Sequence, residues 1–268
     1  PRPMRHDLTA AAVALRIGAG QAMAGWTVLA GRCLFYVLIM TVLSALWDKV
    51  AAEPVQGAIA LPAGGLVLYV LATEWITLAL PSVHLRFEDD IRSGGLEPHL
   101  LRPKAYLLQS LAQSLGGTLV RLAALGVTAV TWLAVTGREG PPAATYPYLF
   151  VLGVLAVTVG MLLYAVAGLC AFWTRRILPV MLVIQKLMFL LGGLFAPITL
   201  YPDWLRKLAE ATPFAAHLYW AGVQALAPSG PMFLQAAAWQ VLWIVLLSLL
   251  CVALWRAGLA KLLREGGV

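Results

Sequence analysis

Charge is what this chain has least of. Only 12% of its residues are Asp, Glu, Lys or Arg, against 61% hydrophobic ones, whereas a soluble domain carries roughly 25% charged and ~45–50% apolar residues. So small a polar share could not cover a 268-residue globule in water, which excludes a soluble domain and leaves an integral membrane protein. Cysteine is scarce too. Cys33, Cys170 and Cys251 fall inside apolar runs with no C-x-x-C spacing, so neither a disulfide framework nor a zinc site is supported. The histidines His6, His84, His99 and His217 are scattered over different segments, and no metal centre is expected. Missing as well are a GxxxxGK[ST] phosphate loop, an HExxH pair, a GxSxG elbow and the DG...AR...G...D...D array of membrane phosphotransferases. Glu88, Asp89 and Asp90 are consecutive rather than opposed across a pocket, which does not suit paired acid and base catalysis.

What is abundant is apolar sequence in long runs. A span needs ~20 mostly apolar residues to cross a ~30 Å hydrocarbon core, and six segments qualify: 27–47, 61–80, 105–135, 148–173, 177–197 and 233–255. The third, interrupted only by Arg121, exceeds one crossing; it either projects from the membrane or bends near Gly116-Gly117. The pairs Gly64-Gly65, Gly116-Gly117 and Gly192-Gly193 read as close packing contacts rather than hinges.

The net charge of +7 reports topology rather than affinity for nucleic acid, because the basic residues sit between apolar runs. With the N-terminus inside, twelve basic residues (Arg2, Arg5, Arg16, Arg86, Arg92, Arg102, Lys104, Arg175, Arg176, Arg256, Lys261 and Arg264) are cytoplasmic. Only Lys49, Arg138, Arg206 and Lys207 are outside. Both termini are therefore expected in the cytoplasm. The opening Pro-Arg-Pro-Met lacks the regions of a removable signal, so the first span is expected to direct insertion. Ahead of it, residues 5–25 mix polar positions with Leu8, Ala12, Leu15, Ala19 and Ala22 at helical spacing, predicting a helix along the inner membrane surface; a plain extension of the first span is the alternative.

The most charged connector lies between the second and third spans. Ser82 to Arg92 has the pattern of a helix, Ser93-Gly94-Gly95 supplies a break, Leu96 to Leu101 makes a short apolar-faced turn, and Arg102-Pro103 restarts a helix. Spacing alone admits two readings, a solvated loop or a short transverse helix that docks in a groove on a cytoplasmic partner.

Here the residues resemble a known family. Asp90-Ile91-Arg92-Ser93-Gly94, then Leu96, then Leu100-Leu101-Arg102-Pro103, is similar to the D-I-R-x-G-x-[IL]-x-x-x-L-[LI]-R-P signature of ABC-2-type exporter permeases, in particular the viologen-exporter-like subgroup. Gly94-Gly95-Leu96-Glu97 departs from the commoner single glycine followed by a basic or aliphatic residue. Tyr201-Pro202-Asp203-Trp204-Leu205 and Ala211-Thr212-Pro213-Phe214 are similar to the family's P-x-W-L and x-P-F elements. The resemblance implies an all-α integral membrane fold of six transmembrane helices, forming one permease domain over 1–268 in the bacterial inner membrane. Its parts would be an elbow helix at 5–25, a cytoplasmic coupling loop at 82–104 and a re-entrant outer segment at 198–232, with a pair of short helices between Asp203 and Leu218. It also implies two ABC ATPase subunits that hold ATP and Mg, a second permease copy or homologue, and surrounding lipids. No catalytic residue or cofactor is expected in this chain itself. The ATPase-coupling residues would be Glu88, Asp89, Asp90, Ile91, Arg92, Ser93, Gly94, Leu96, Leu100, Leu101, Arg102 and Pro103. Pro202, Trp204, Leu205, Pro213 and Phe214 would form the outer cap.

Within the spans, ionisable groups cost ~2.5–3.5 kcal/mol each unless paired or wetted. Glu74, Arg121 and Lys186 are such groups. Glu74 and Lys186 stand at comparable depth and read either as a structural ion pair, the preferred reading, or as cavity-lining groups; Arg32 is expected to snorkel to headgroups. The function that the resemblance implies is that of a permease subunit of an ATP-driven exporter, with a hydrophobic or amphiphilic substrate expected. The alternative is a membrane enzyme or secondary carrier, which would need clustered acid, base or metal ligands, or inverted repeats with polar broken helices.

Overall fold

A chain surrounded by hydrocarbon must satisfy its own backbone donors and acceptors, and a helix does so within one segment. The computed structural model describes residues 2–52, 63–96, 106–174, 176–194 and 196–264, and all regular structure among them is helical. In chain order the helices are α1 (Arg2–Ala24), α2 (Trp26–Ala52), α3 (Ala63–Ala79), α4 (Val83–Arg92), α5 (Tyr106–Thr136) and α6 (Tyr146–Leu169). They continue with α7 (Leu178–Leu191), α8 (Asp203–Glu210), α9 (Pro213–His217), α10 (Tyr219–Leu226) and α11 (Gly230–Arg264).

Among the described residues five stretches are long and apolar enough to cross a bilayer: Trp26–Lys49, Gly64–Arg92, Tyr106–Thr136, Ala143–Phe172 and Gly230–Arg264. The remaining expected span, 177–197, holds only α7. Its 14 residues reach ~21 Å, short of the ~30 Å core. The helix stops because Gly193 adopts φ 66°, a left-handed conformation that glycine takes at no steric cost, and the Leu194 N–H then closes on the Phe189 carbonyl at 3.3 Å. This pair of glycines thus ends a helix, besides making the contacts expected of it.

α3 is the hub of the bundle, packed by α2, α5 and α10. The Tyr36 hydroxyl of α2 donates to the Leu71 carbonyl at 2.7 Å, and the Trp75 indole donates to Leu122 O of α5, also at 2.7 Å. Both bonds give polar tips a partner inside an apolar core, where an unmet donor would cost about 1–3 kcal/mol. α6 forms a second hub against α11 and α4. α1 packs most extensively on α5 and is divided from α2 by Gly25. α5 runs unbroken past Gly116-Gly117: these glycines are where α1 crosses, with Leu15 O against Gly116 and Gly18 facing the Gln113 backbone. The expectation of a packing contact holds there.

At one end of the bundle the chain between α7 and α11 turns back inward. The expected pair of short helices is present as α8 and α9, and α10 follows them. His217 of α9 meets the Ala156 carbonyl at 2.7 Å, ten residues or ~15 Å along α6 from Tyr146. Gln240 of α11 donates to Ala216 O at 3.0 Å and to Leu152 O at 3.3 Å. Tyr69 and Thr73 hold the preceding turn through Gly193 O (2.6 Å) and Leu194 O (2.9 Å). This segment is therefore fastened to the bundle at depth rather than laid across its end.

Candidate functional site

The opposite end carries α4. Its Val83, Phe87 and Ile91 recur every four residues and are buried, leaving the acidic positions at the sides and on the surface. Glu88 Oε1 accepts the main-chain N–H of Ile177 at 3.3 Å, just ahead of α7. It also pairs with Arg92 one turn on, at 3.5 Å. Asp90 accepts the hydroxyl of Tyr106, the first residue of α5. Tyr106 in turn stacks on Trp255 of α11, rings 5.2 Å apart and 17° from parallel. Asp89 is exposed. The helix closes at Ser93, whose N–H reaches Asp89 O at 2.9 Å, and Gly94 turns left-handed at φ 74°.

That turn carries Leu96 inward, to 2% exposure within the chain's own core. The expectation that Leu96 offers an apolar face to a partner is corrected: it anchors the turn. Ile91 is buried likewise. Leu100, Leu101, Arg102 and Pro103 lie outside the described residues.

The preferred Glu74–Lys186 ion pair is not formed. Glu74 is buried in α3 and, among the described residues, has no ion-pair partner, while exposed Lys186 sits over the Phe189 ring at 5.6 Å on its own helix. Comparable depth along two spans does not bring side chains together, because it says nothing about which way each helix face points. Arg121 does find partners: its Nε donates to Ala79 O at 3.0 Å and its NH2 to Thr118 Oγ1 at 2.8 Å. Arg32 turns inward to Leu78 O at 2.5 Å instead of snorkelling. Leu78 and Ala79 end α3, where the last carbonyls lack helical partners and the following Pro81 has no N–H to offer. Two arginines thus cap one helix C-terminus, where their charge also suits the helix dipole.

At the cap end Pro202 immediately precedes α8 and Pro213 opens α9, each in the position where a missing N–H costs least. Leu205 and Phe214 pack on the core, and Trp204 is 69% exposed. The five residues expected to form a cap therefore gather in one segment but divide between packing and surface.

Residues 63–266 match the family model described as ABC-2 family transporter protein. The chain belongs to the ABC-2 transporter family. No curated protein matches it. ABC-2 permeases are the transport components of assemblies that also contain ABC ATPases, so the all-α bundle is a membrane permease. The ABC-2 match takes in α4, the Ser93-Gly94 turn and the cap; α1 and α2 precede it. What sequence reading missed in this ABC-2 chain is the meeting of Arg32 and Arg121 with Arg86, which donates to Gln113 Oε1 at 3.1 Å. Each was visible singly, but their common position depends on three helices converging.

Proposed function

We propose that this ABC-2 chain is the permease subunit of an ATP-driven exporter of the viologen-exporter-like kind, moving a hydrophobic or amphiphilic compound out of the cytoplasm or inner leaflet of a bacterial inner membrane. In this reading the α4 end and both termini face the cytoplasm, as the twelve-to-four distribution of basic residues favours. Two ABC ATPase subunits holding ATP and Mg act on two permeases, identical or homologous. The 5–25 helix serves as the elbow, 82–104 as the coupling loop and 198–232 as the outer cap of a single permease domain. The absence of a phosphate loop from the 268 residues agrees with nucleotide being held by the ATPases.

One observation carries the coupling role. α4 is tied through Glu88 to the start of α7 and through Asp90 to the start of α5, and it continues from α3 after a short break. In this reading a displacement of the Ser93-Gly94 turn is passed to three helices together. Asp89 and Arg92 remain exposed for a partner to read, and Leu100 and Leu101 supply the apolar contact.

The test is co-purification with a co-expressed ABC ATPase from the same genome, together with transport-dependent hydrolysis. Replacing Leu100 and Leu101 by Ala removes ~2–5 kcal/mol of contact if both are buried at the interface, so assembly is lost while the spans still insert. Reversing Asp90 and Arg92 weakens assembly or uncouples hydrolysis. Wild-type assembly and turnover in every variant would overturn the reading.

A further inference from the structure

A cavity of about 400 Å³ opens at the α4 end between α1, α2, the α3–α4 linker and α5. Arg32, Arg86 and Arg121 all line it, and no Asp or Glu stands among its described lining residues. None of the three has an ion pair among the described residues. A guanidinium presents five N–H donors in a fixed fork. The bonds to Leu78, Gln113, Ala79 and Thr118 engage one donor on Arg32, one on Arg86 and two on Arg121, which leaves donors at the cavity wall. Three like charges gathered where the dielectric falls repel one another until an anion joins them.

The remaining lining says what kind of anion. Gln21 and Gln113, joined at 2.9 Å, and Ser82 add neutral polar groups, while Val28 and Leu29 of α2 make an apolar wall in the same cavity. A phosphate suits three guanidiniums better than a carboxylate does, because its several oxygens can each take a forked pair of donors. The apolar wall would be wasted on a free ion. We propose that this cavity binds the phosphate headgroup of an anionic amphiphile, with the arginines on its oxygens and the Val28–Leu29 wall along the first carbons of its tail. The inference goes beyond the exporter reading, and its test reads binding alone, without an ATPase.

The full chain is purified in a neutral detergent, and native mass spectrometry scores adducts with phosphatidylglycerol against phosphatidylcholine, in the presence and absence of inorganic phosphate. Arg32 and Arg121 also cap α3, so neutralising them risks the fold; Arg86→Gln is the informative variant because Arg86 bonds to a side chain, Gln113, and not to a helix end. Wild type should favour phosphatidylglycerol, Arg86→Gln should cut that preference by about tenfold, the effect of losing one charged hydrogen bond, and Arg86→Lys should keep most of it. An unchanged melting temperature of Arg86→Gln in phosphatidylcholine shows that the fold is intact. Equal binding of both lipids by wild type, or an undiminished preference in Arg86→Gln, would overturn the proposal. Displacement of the lipid by millimolar inorganic phosphate would overturn its amphiphile part, making the ligand a soluble phosphate.

Discussion

Glu88 Oε1 receives the main-chain N–H of Ile177 at 3.3 Å, so α7 begins on a carboxylate supplied from 89 residues earlier in the chain. A surface acid would be free to move with its own helix; this one fixes where two helices meet. Replacing Glu88 by Ala removes that acceptor and the Arg92 pairing together, and stability should fall by about 1 kcal/mol. Glu88→Gln, which retains an acceptor oxygen, should lose less. Thermal unfolding in detergent ranks the three proteins, and equal midpoints would remove Glu88 from its joining role.

The α1–α5 crossing depends on missing side chains. A Cβ on Gly18 or Gly116 would run into the backbone of the opposing helix, which cannot yield as a side-chain end can. Gly18→Ala and Gly116→Ala should each destabilise by about 2 kcal/mol and raise hydrogen exchange along α1. Gly20, two residues from Gly18, meets nothing within 4 Å. Gly20→Ala should stabilise by roughly 0.5–1 kcal/mol through helix propensity, which makes it the control.

Because Glu74 and Lys186 are not joined, their neutral substitutions should act independently. A double-mutant cycle of Glu74→Gln and Lys186→Met should give a coupling energy within ~0.5 kcal/mol of zero, and Glu74→Gln alone should leave stability unchanged or raise it. A strong favourable coupling would restore the ion pair.

How much could be read beforehand divides along a physical line. The apolar runs placed α2, α3, α5, α6 and α11, since a run of that length has one cheap solution in lipid. Pro202 and Pro213 stand at helix starts, where a missing N–H costs least, which is a local matter too. Lateral facts were not legible: the facing of Glu74 and Lys186, the inward turn of Leu96 after Gly94, and the meeting of Arg32, Arg86 and Arg121. Each depends on the rotation of a helix about its axis or on a chain reversal, and mostly apolar spans leave that rotation unmarked in the sequence.

Gln240 holds the cap to α6 by donating to Ala216 O and Leu152 O. Gln240→Leu keeps the volume but removes both bonds, leaving the Leu152 carbonyl only its partner within α6, so it should cost about 1 kcal/mol. Faster exchange at 213–226 with little change in α5 would show that the loss is local to the cap. Uniform protection would show that Gln240 is not its fastening.

The glycine crossing between α1 and α5 also sets an order of events during synthesis. Gln21 and its partner Gln113 are 92 residues apart, and translation at ~5–20 residues per second separates their emergence by roughly 5–20 s. For that interval α1 has no α5 to lie on, and the face that later meets α5 at Leu15, Gly18 and Ala22 can be sheltered only by the bilayer surface or a chaperone. α1 is thus made well before it can reach its final seat on α5, and a ribosome stalled before residue 113 would leave it waiting.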